Sequence, residues 1–196
     1  MNKLLVITLL LTTIATFGQK EESLLLVADS TWGKEVIHLP FGFAPEIDFV
    51  GYEDIRFAKG WGNIESSEFW SYVFVWNINL QEKPNAKFFQ DNLKLYFDGL
   101  MKAVNKEKDK IIPEAKVTII AKEETNGITK FTGKIITHDS FRTKKLITLQ
   151  VSVESFYCKK TKKYMPLFRF SPQPFEHQIW KKLHNVKLKE NYCQNK

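Results

Sequence analysis

The sequence predicts an α+β domain: a mainly antiparallel sheet covered by two amphipathic helices, stacked as a two- or three-layer sandwich. Three observations carry this. Residues 69–80 alternate large and small side chains with the period of a strand. Residues 89–104 repeat apolar side chains at three- and four-residue spacing, the period of a helix. Residues 116–157 read as successive strands joined at Asn126-Gly127, a strong hairpin signal. With 16 Phe and five Trp among 196 residues, and only nine Gly and seven Pro, the composition is that of a globular chain able to fill a sizeable core.

In chain order, the first stretch is MNKLLVITLLLTTIATFGQ, with one lysine, an apolar run from Leu4 to about Ala15, and Thr16-Phe17-Gly18 after it. This predicts a signal peptide over 1–18. The run is shorter than the roughly 20 residues of a membrane span, and an uncleaved anchor is the rival reading. No cysteine lies near the expected cleavage point, which argues against a lipoprotein anchor. The protein is therefore expected to be exported, periplasmic or extracellular, without a transmembrane segment in the mature chain. A lead-in segment (19–34), a single domain (35–190) and a C-terminal tail (191–196) complete the expected organisation.

Within the domain, Glu35 to Leu39 reads as a strand that Pro40 ends, and Glu53 to Ala58 as a second. Gly60-Trp61-Gly62 breaks the pattern. In the strand expected over 69–80, Trp70, Tyr72, Phe74, Trp76, Ile78 and Leu80 share one face, and the smaller side chains of Val73 and Val75 share the other. The covering helix carries Phe89, Leu93, Tyr96, Phe97, Leu100 and Val104, has Asn85 as its N-cap and ends near Lys106. Strands over 116–122, 129–137, 146–157 and 164–170 follow. A second amphipathic helix over 175–186 turns Ile179, Trp180, Leu183 and Val186 inward.

This second half is loosely similar in element order to the PsbP-like layout. More locally, FAPEIDFVGYEDIRFAKGWG followed by EFWSYVFVW resembles a group of uncharacterised secreted bacterial proteins, in which a helix similar to KLYFDGL (Lys94 to Leu100) comes next. That resemblance covers most of the mature chain. It implies export and a single domain, with no activity attached.

Charge is uneven. From Arg142 onward 13 Lys and Arg stand against three acids, whereas the first 141 residues carry 16 against 19. The basic turn Lys159, Lys160, Lys162 and Lys163 is a candidate contact for an anionic surface or a glycan, or simply a solvated face. No nucleic acid is expected, because these lysines are not interleaved with stacking aromatics. Cys158 and Cys193 form an even pair that suits a disulfide in an oxidising compartment, worth roughly 3–4 kcal/mol for a loop of this size. No spacing of ligands suggests a metal, and no cofactor is expected.

Candidate chemistry is sparse. Asp54 and Arg56 share one face of their strand and read as a ligand contact or a surface ion pair. Glu53 points with Ile55 and Phe57 toward the core, where an apolar setting raises a carboxyl's pKa and suits a general acid; pairing with a lysine is the alternative. His138-Asp139-Ser140 has hydrolase residue types, but three sequence neighbours diverge and turn chemistry explains them equally. His177 and His184 are two turns apart, too far for one metal. Trp61, between glycines, is a candidate for display to a sugar or apolar group, or a core plug.

Phosphate loops, nucleophile elbows and dinucleotide fingerprints are absent. The leading expectation is an exported, non-enzymatic binding or accessory domain using the Trp61 loop and the basic turn. Its rivals are a hydrolase built on Glu53 or His138 and a structural subunit of an envelope assembly. A concave site between the sheet's less bulky face and the 40–62 loop is the feature that would favour small-molecule binding, whereas a covered face without a cleft would favour a protein partner.

Overall fold

The computed structural model describes residues 24–107, 109–190 and 192–193. The expected signal peptide, 1–18, lies outside the described residues. Among the described residues the chain is α+β with a mainly antiparallel sheet and two helices. Seven strands form the large sheet: β2 (Gly33–Leu39), β3 (Gly51–Phe57), β4 (Tyr72–Ile78), β5 (Lys116–Thr125), β6 (Ile128–His138), β7 (Leu146–Cys158) and β8 (Lys163–Ser171), in the order β2-β3-β4-β8-β7-β6-β5. All six neighbouring pairs are antiparallel. A small pair, β1 (Leu26–Val27) with β9 (Lys187–Leu188), ties residues just before the domain to those just after the last helix.

Burial follows the alternation of β4. Tyr72, Phe74, Trp76 and Ile78 enter one buried cluster, together with Phe89, Leu93, Tyr96, Phe97 and Met101 of α1 (Ala86–Ala103). Val73 and Val75 enter another, with Leu25, Leu26, Met165, Leu167 and the Ile179, Trp180, Leu183 and Val186 set at α2 (Ile179–Asn185). The tryptophan-and-tyrosine side of β4 thus packs with the helix that follows it. Phe74 lies 4.6 Å from Phe168 and 5.7 Å from Tyr96 between ring centroids, so the cluster is a continuous aromatic stack and not a set of isolated plugs.

Two boundaries differ from expectation for local reasons. The β4 strand begins at Tyr72, not Phe69, because Trp70 has φ of +50° and cannot continue an extended chain, yet its ring still joins the α1 cluster. The second helix begins at Ile179, not Phe175: the His177 ring nitrogen Nδ1 accepts the Ile179 N–H at 3.1 Å, and residues 175–178 are a turn. At α1 the Asn85 side chain accepts the Phe88 N–H at 2.9 Å, as its position suggests.

Cys158 and Cys193 are joined in a disulfide that holds Cys193 against the β7–β8 hairpin. Gly99 lets α1 approach the 41–44 segment closely, since a Cβ at this position would fall 1.9 Å from the Phe43 carbonyl oxygen. Gly99→Ala is therefore expected to lower stability by about 1–3 kcal/mol. Helix propensity alone gives the opposite sign, a gain of up to about 1 kcal/mol. A urea denaturation curve decides between them, and a rise in midpoint contradicts the close approach.

Candidate functional site

A cavity of about 620 Å³ opens between the C-terminal half of α1, the β2–β3 edge of the sheet, the Trp61 turn and the β6–β7 loop. Its walls are Tyr96, Leu100 and Val104 from the helix, Ile37, Ile55 and Phe57 from the strands, Trp61 and Trp70 from the turn, and Phe141 from the loop. It is therefore on the bulky, aromatic side of the sheet. The less bulky side, carrying Val73 and Val75, is covered by Leu25, Trp180 and Leu183. The difference follows from size: large rings projecting from one face leave a gap where the helix ends, whereas small side chains allow close packing.

The Trp61 turn is held from several directions. The Trp61 N–H donates to the Ala58 carbonyl at 2.9 Å and its carbonyl accepts the Trp70 N–H at 3.1 Å. Glu68 accepts the Gly60 N–H at 2.9 Å and the Lys182 ammonium at 2.7 Å, and the lysine contact holds its carboxyl below the usual range. Trp61 is half-buried, with ring centroids 5.1 Å from Phe57, 5.6 Å from Trp70 and 5.4 Å from Phe141. It is not displayed on a free loop; it forms part of the cavity wall. The indole N–H groups of Trp61 and Trp70 are buried without acceptors. Trp70 is 1% exposed and sits at a positive φ. A bulky residue in that region costs of order 1–3 kcal/mol and persists only where its surroundings impose it.

Glu53 lies one residue behind this wall. It is fully buried, accepts the Trp76 indole N–H at 2.6 Å and is 3.0 Å from the Tyr96 hydroxyl. No cation pairs with it among the described residues. Burial pushes its carboxyl up to about 8, outweighing the two hydrogen bonds, so it holds its proton at neutral pH. Tyr72 and Tyr96, both in the cavity lining, are pushed well above their usual range by burial and then by the nearby Glu53.

Asp54 and Arg56 are not a surface pair. Both are buried, on the face of β3 that meets the N-terminal segment. Asp54 accepts the Leu25 and Leu26 N–H groups at 2.6 and 2.9 Å and pairs with Arg56, which donates to the Leu26 carbonyl at 2.6 Å. These contacts occupy the groups that a ligand needs, and the pair anchors β1.

Lys159, Lys160 and Lys162 are exposed and Lys163 is half-buried, at the β7–β8 turn. Lys160 lies 5.1 Å from the Tyr192 ring centroid. This turn is at one end of β8 and Phe170, which pairs with Tyr72 beside the cavity, is at the other. The basic turn and the Trp61 loop are thus not one surface.

His138 is buried with Nδ1 3.0 Å from Ser140 Oγ. Asp139, however, spends both carboxylate oxygens on its own loop, accepting from the N–H groups of Phe141, Arg142 and Thr143 and from the Thr143 hydroxyl. The acid does not orient the histidine, and Ser140 is 1% exposed, so substrate has no path to it in this conformation. Among the described residues no cluster of His, Cys, Asp or Glu has metal-binding geometry. No helix among them is long and apolar enough to cross a membrane.

Tyr72, Leu100, Val104, Phe141 and Glu35 line the cavity but were not candidates from sequence. Tyr72 carried the one usable signal, a polar hydroxyl within an otherwise apolar strand face. No family model, curated protein or solved structure matches this chain.

Proposed function

We propose that this protein is an exported, non-enzymatic binding domain whose ligand is a small, largely apolar molecule held in the cavity between α1 and the Trp61 turn. The observation that carries this reading is the cavity itself: about 620 Å³, walled by aromatic and aliphatic side chains. Ligand sites are commonly of this size and character. Support comes from two costs concentrated beside it, the left-handed Trp70 and the buried Glu53 without a cation, since strain and perturbed groups gather at functional sites. The same reading takes the fold as three layers, with α1 and α2 on opposite faces of the large sheet. Export rests on the sequence of residues 1–18.

The test uses N-phenyl-1-naphthylamine, a neutral apolar fluorophore. The protein is expected to bind it saturably at one site, with Leu100→Trp filling the cavity and lowering affinity at least tenfold. An unchanged thermal midpoint shows that Leu100→Trp still folds. Absence of saturable binding, or equal binding by the folded variant, rejects the reading.

A further inference from the structure

We propose that the cavity selects a neutral aromatic or otherwise apolar molecule bearing an oxygen acceptor, which the Tyr72 hydroxyl meets, and that it discriminates against the corresponding carboxylate. This rests on the cavity being a binding site. Tyr72 is 4% exposed, and its ring is fixed by stacking on Phe170 at 4.7 Å and on Phe57 at 6.0 Å between centroids. Its hydroxyl makes no hydrogen bond among the described residues, and Tyr72 is part of the cavity lining. A buried phenol normally finds a partner, because an unpaired polar group loses its hydration for nothing.

The indole N–H groups of Trp61 and Trp70 also have no acceptor among the described residues, but burial closes them off from a ligand. Burial keeps Tyr72 protonated, so its hydroxyl can donate to a ligand oxygen. The rings of Phe43, Phe57, Trp61 and Tyr96 in the lining offer aromatic contact to an aromatic or apolar ligand.

Charge excludes an anion. The lining holds the acidic side chain of Glu35 and no Lys or Arg. The guanidinium of Arg142 lies against Gly62 and is not part of the lining. His38, the one basic candidate in the lining, is exposed and alternates to the other face of β2 from Glu35 and Ile37. An anionic ligand would meet the Glu35 carboxylate with no Lys or Arg in the lining to offset its desolvation.

The test is calorimetric titration at pH 7 with three ligands of one shape, naphthalene, 2-acetylnaphthalene and 2-naphthoate, against the full protein and Tyr72→Phe. The ketone is expected to bind about tenfold more tightly than naphthalene, in line with one net hydrogen bond, and naphthoate more weakly than either. Tyr72→Phe is expected to bring the ketone to the level of naphthalene while leaving naphthalene itself unchanged, which also shows the cavity intact. Naphthoate binding as tightly as the ketone, or a ketone preference that survives in Tyr72→Phe, overturns this inference and leaves the cavity reading standing. Binding of none of the three overturns both.

Discussion

Asp54→Ala is expected to lower the unfolding free energy by about 3–5 kcal/mol, the cost of breaking a buried ion pair from one side. The physical reason is the set of groups left behind. Arg56, 5% exposed, loses its carboxylate partner, and the Leu25 and Leu26 N–H groups lose their acceptor. The loss should be seen first in β1, which pairs through Leu26 with Leu188 and through Val27 with Lys187. Amide hydrogen exchange at Leu26 and Leu188 is then faster, while Phe74 and Trp76 in β4 stay protected until global unfolding. Removing the second charge as well, in Asp54→Ala with Arg56→Met, should recover part of the loss, because no unpaired charge remains. A single substitution that costs under about 1 kcal/mol would mean that the pair is hydrated and the anchoring role assigned to it is wrong.

Glu53→Gln is expected to act in the opposite direction, stabilising the fold at neutral pH. The folded-state pKa of Glu53 is raised from 4.5 to about 8 by burial. Between these values the unfolded chain has lost the proton that the folded chain keeps. Stability therefore falls as pH rises through this window, by about 1.4 kcal/mol per pH unit, and levels off above it. It is fully present below the unfolded-state value. Glutamine retains an oxygen for the Trp76 indole and a polar group for the Tyr96 hydroxyl, but has no proton to lose. The variant should match the parent near pH 4 and exceed it by roughly 3 kcal/mol at pH 7. Denaturation of both proteins across pH 4 to 9 measures the difference curve, and parallel curves would show that Glu53 is solvated or paired. A carboxyl retained at such a cost, where an amide packs equally well, is what a group kept for the site and not for stability looks like.

Period and punctuation made much of this fold legible. Alternation from Tyr72 to Ile78, the three- and four-residue spacing of Phe89, Leu93, Tyr96 and Phe97, and Asn126-Gly127 each identify a local structure whose cause is contained within a few residues. The direction of Glu53 toward the core followed from the same alternation. The strands β1 and β9 were not legible, because each is two residues long and exists through its partner at the far end of the chain. Asp54 and Arg56 read as a surface pair because charge predicts exposure, and nothing near them in sequence announces the Leu25 and Leu26 amides that they hold.

Local order and the identity of each strand's large face were thus written in the chain, since both depend on neighbours one to four residues away. Which large face closes completely and which leaves a gap was settled by packing between segments far apart in the chain. Phe41 to Ala44 seats against Gly99, Phe141 reaches Trp61 and Trp70, and Trp180 and Leu183 fill the side that small residues had left open. The cavity is the remainder of those fits, and a remainder of volumes has no signature in any one segment.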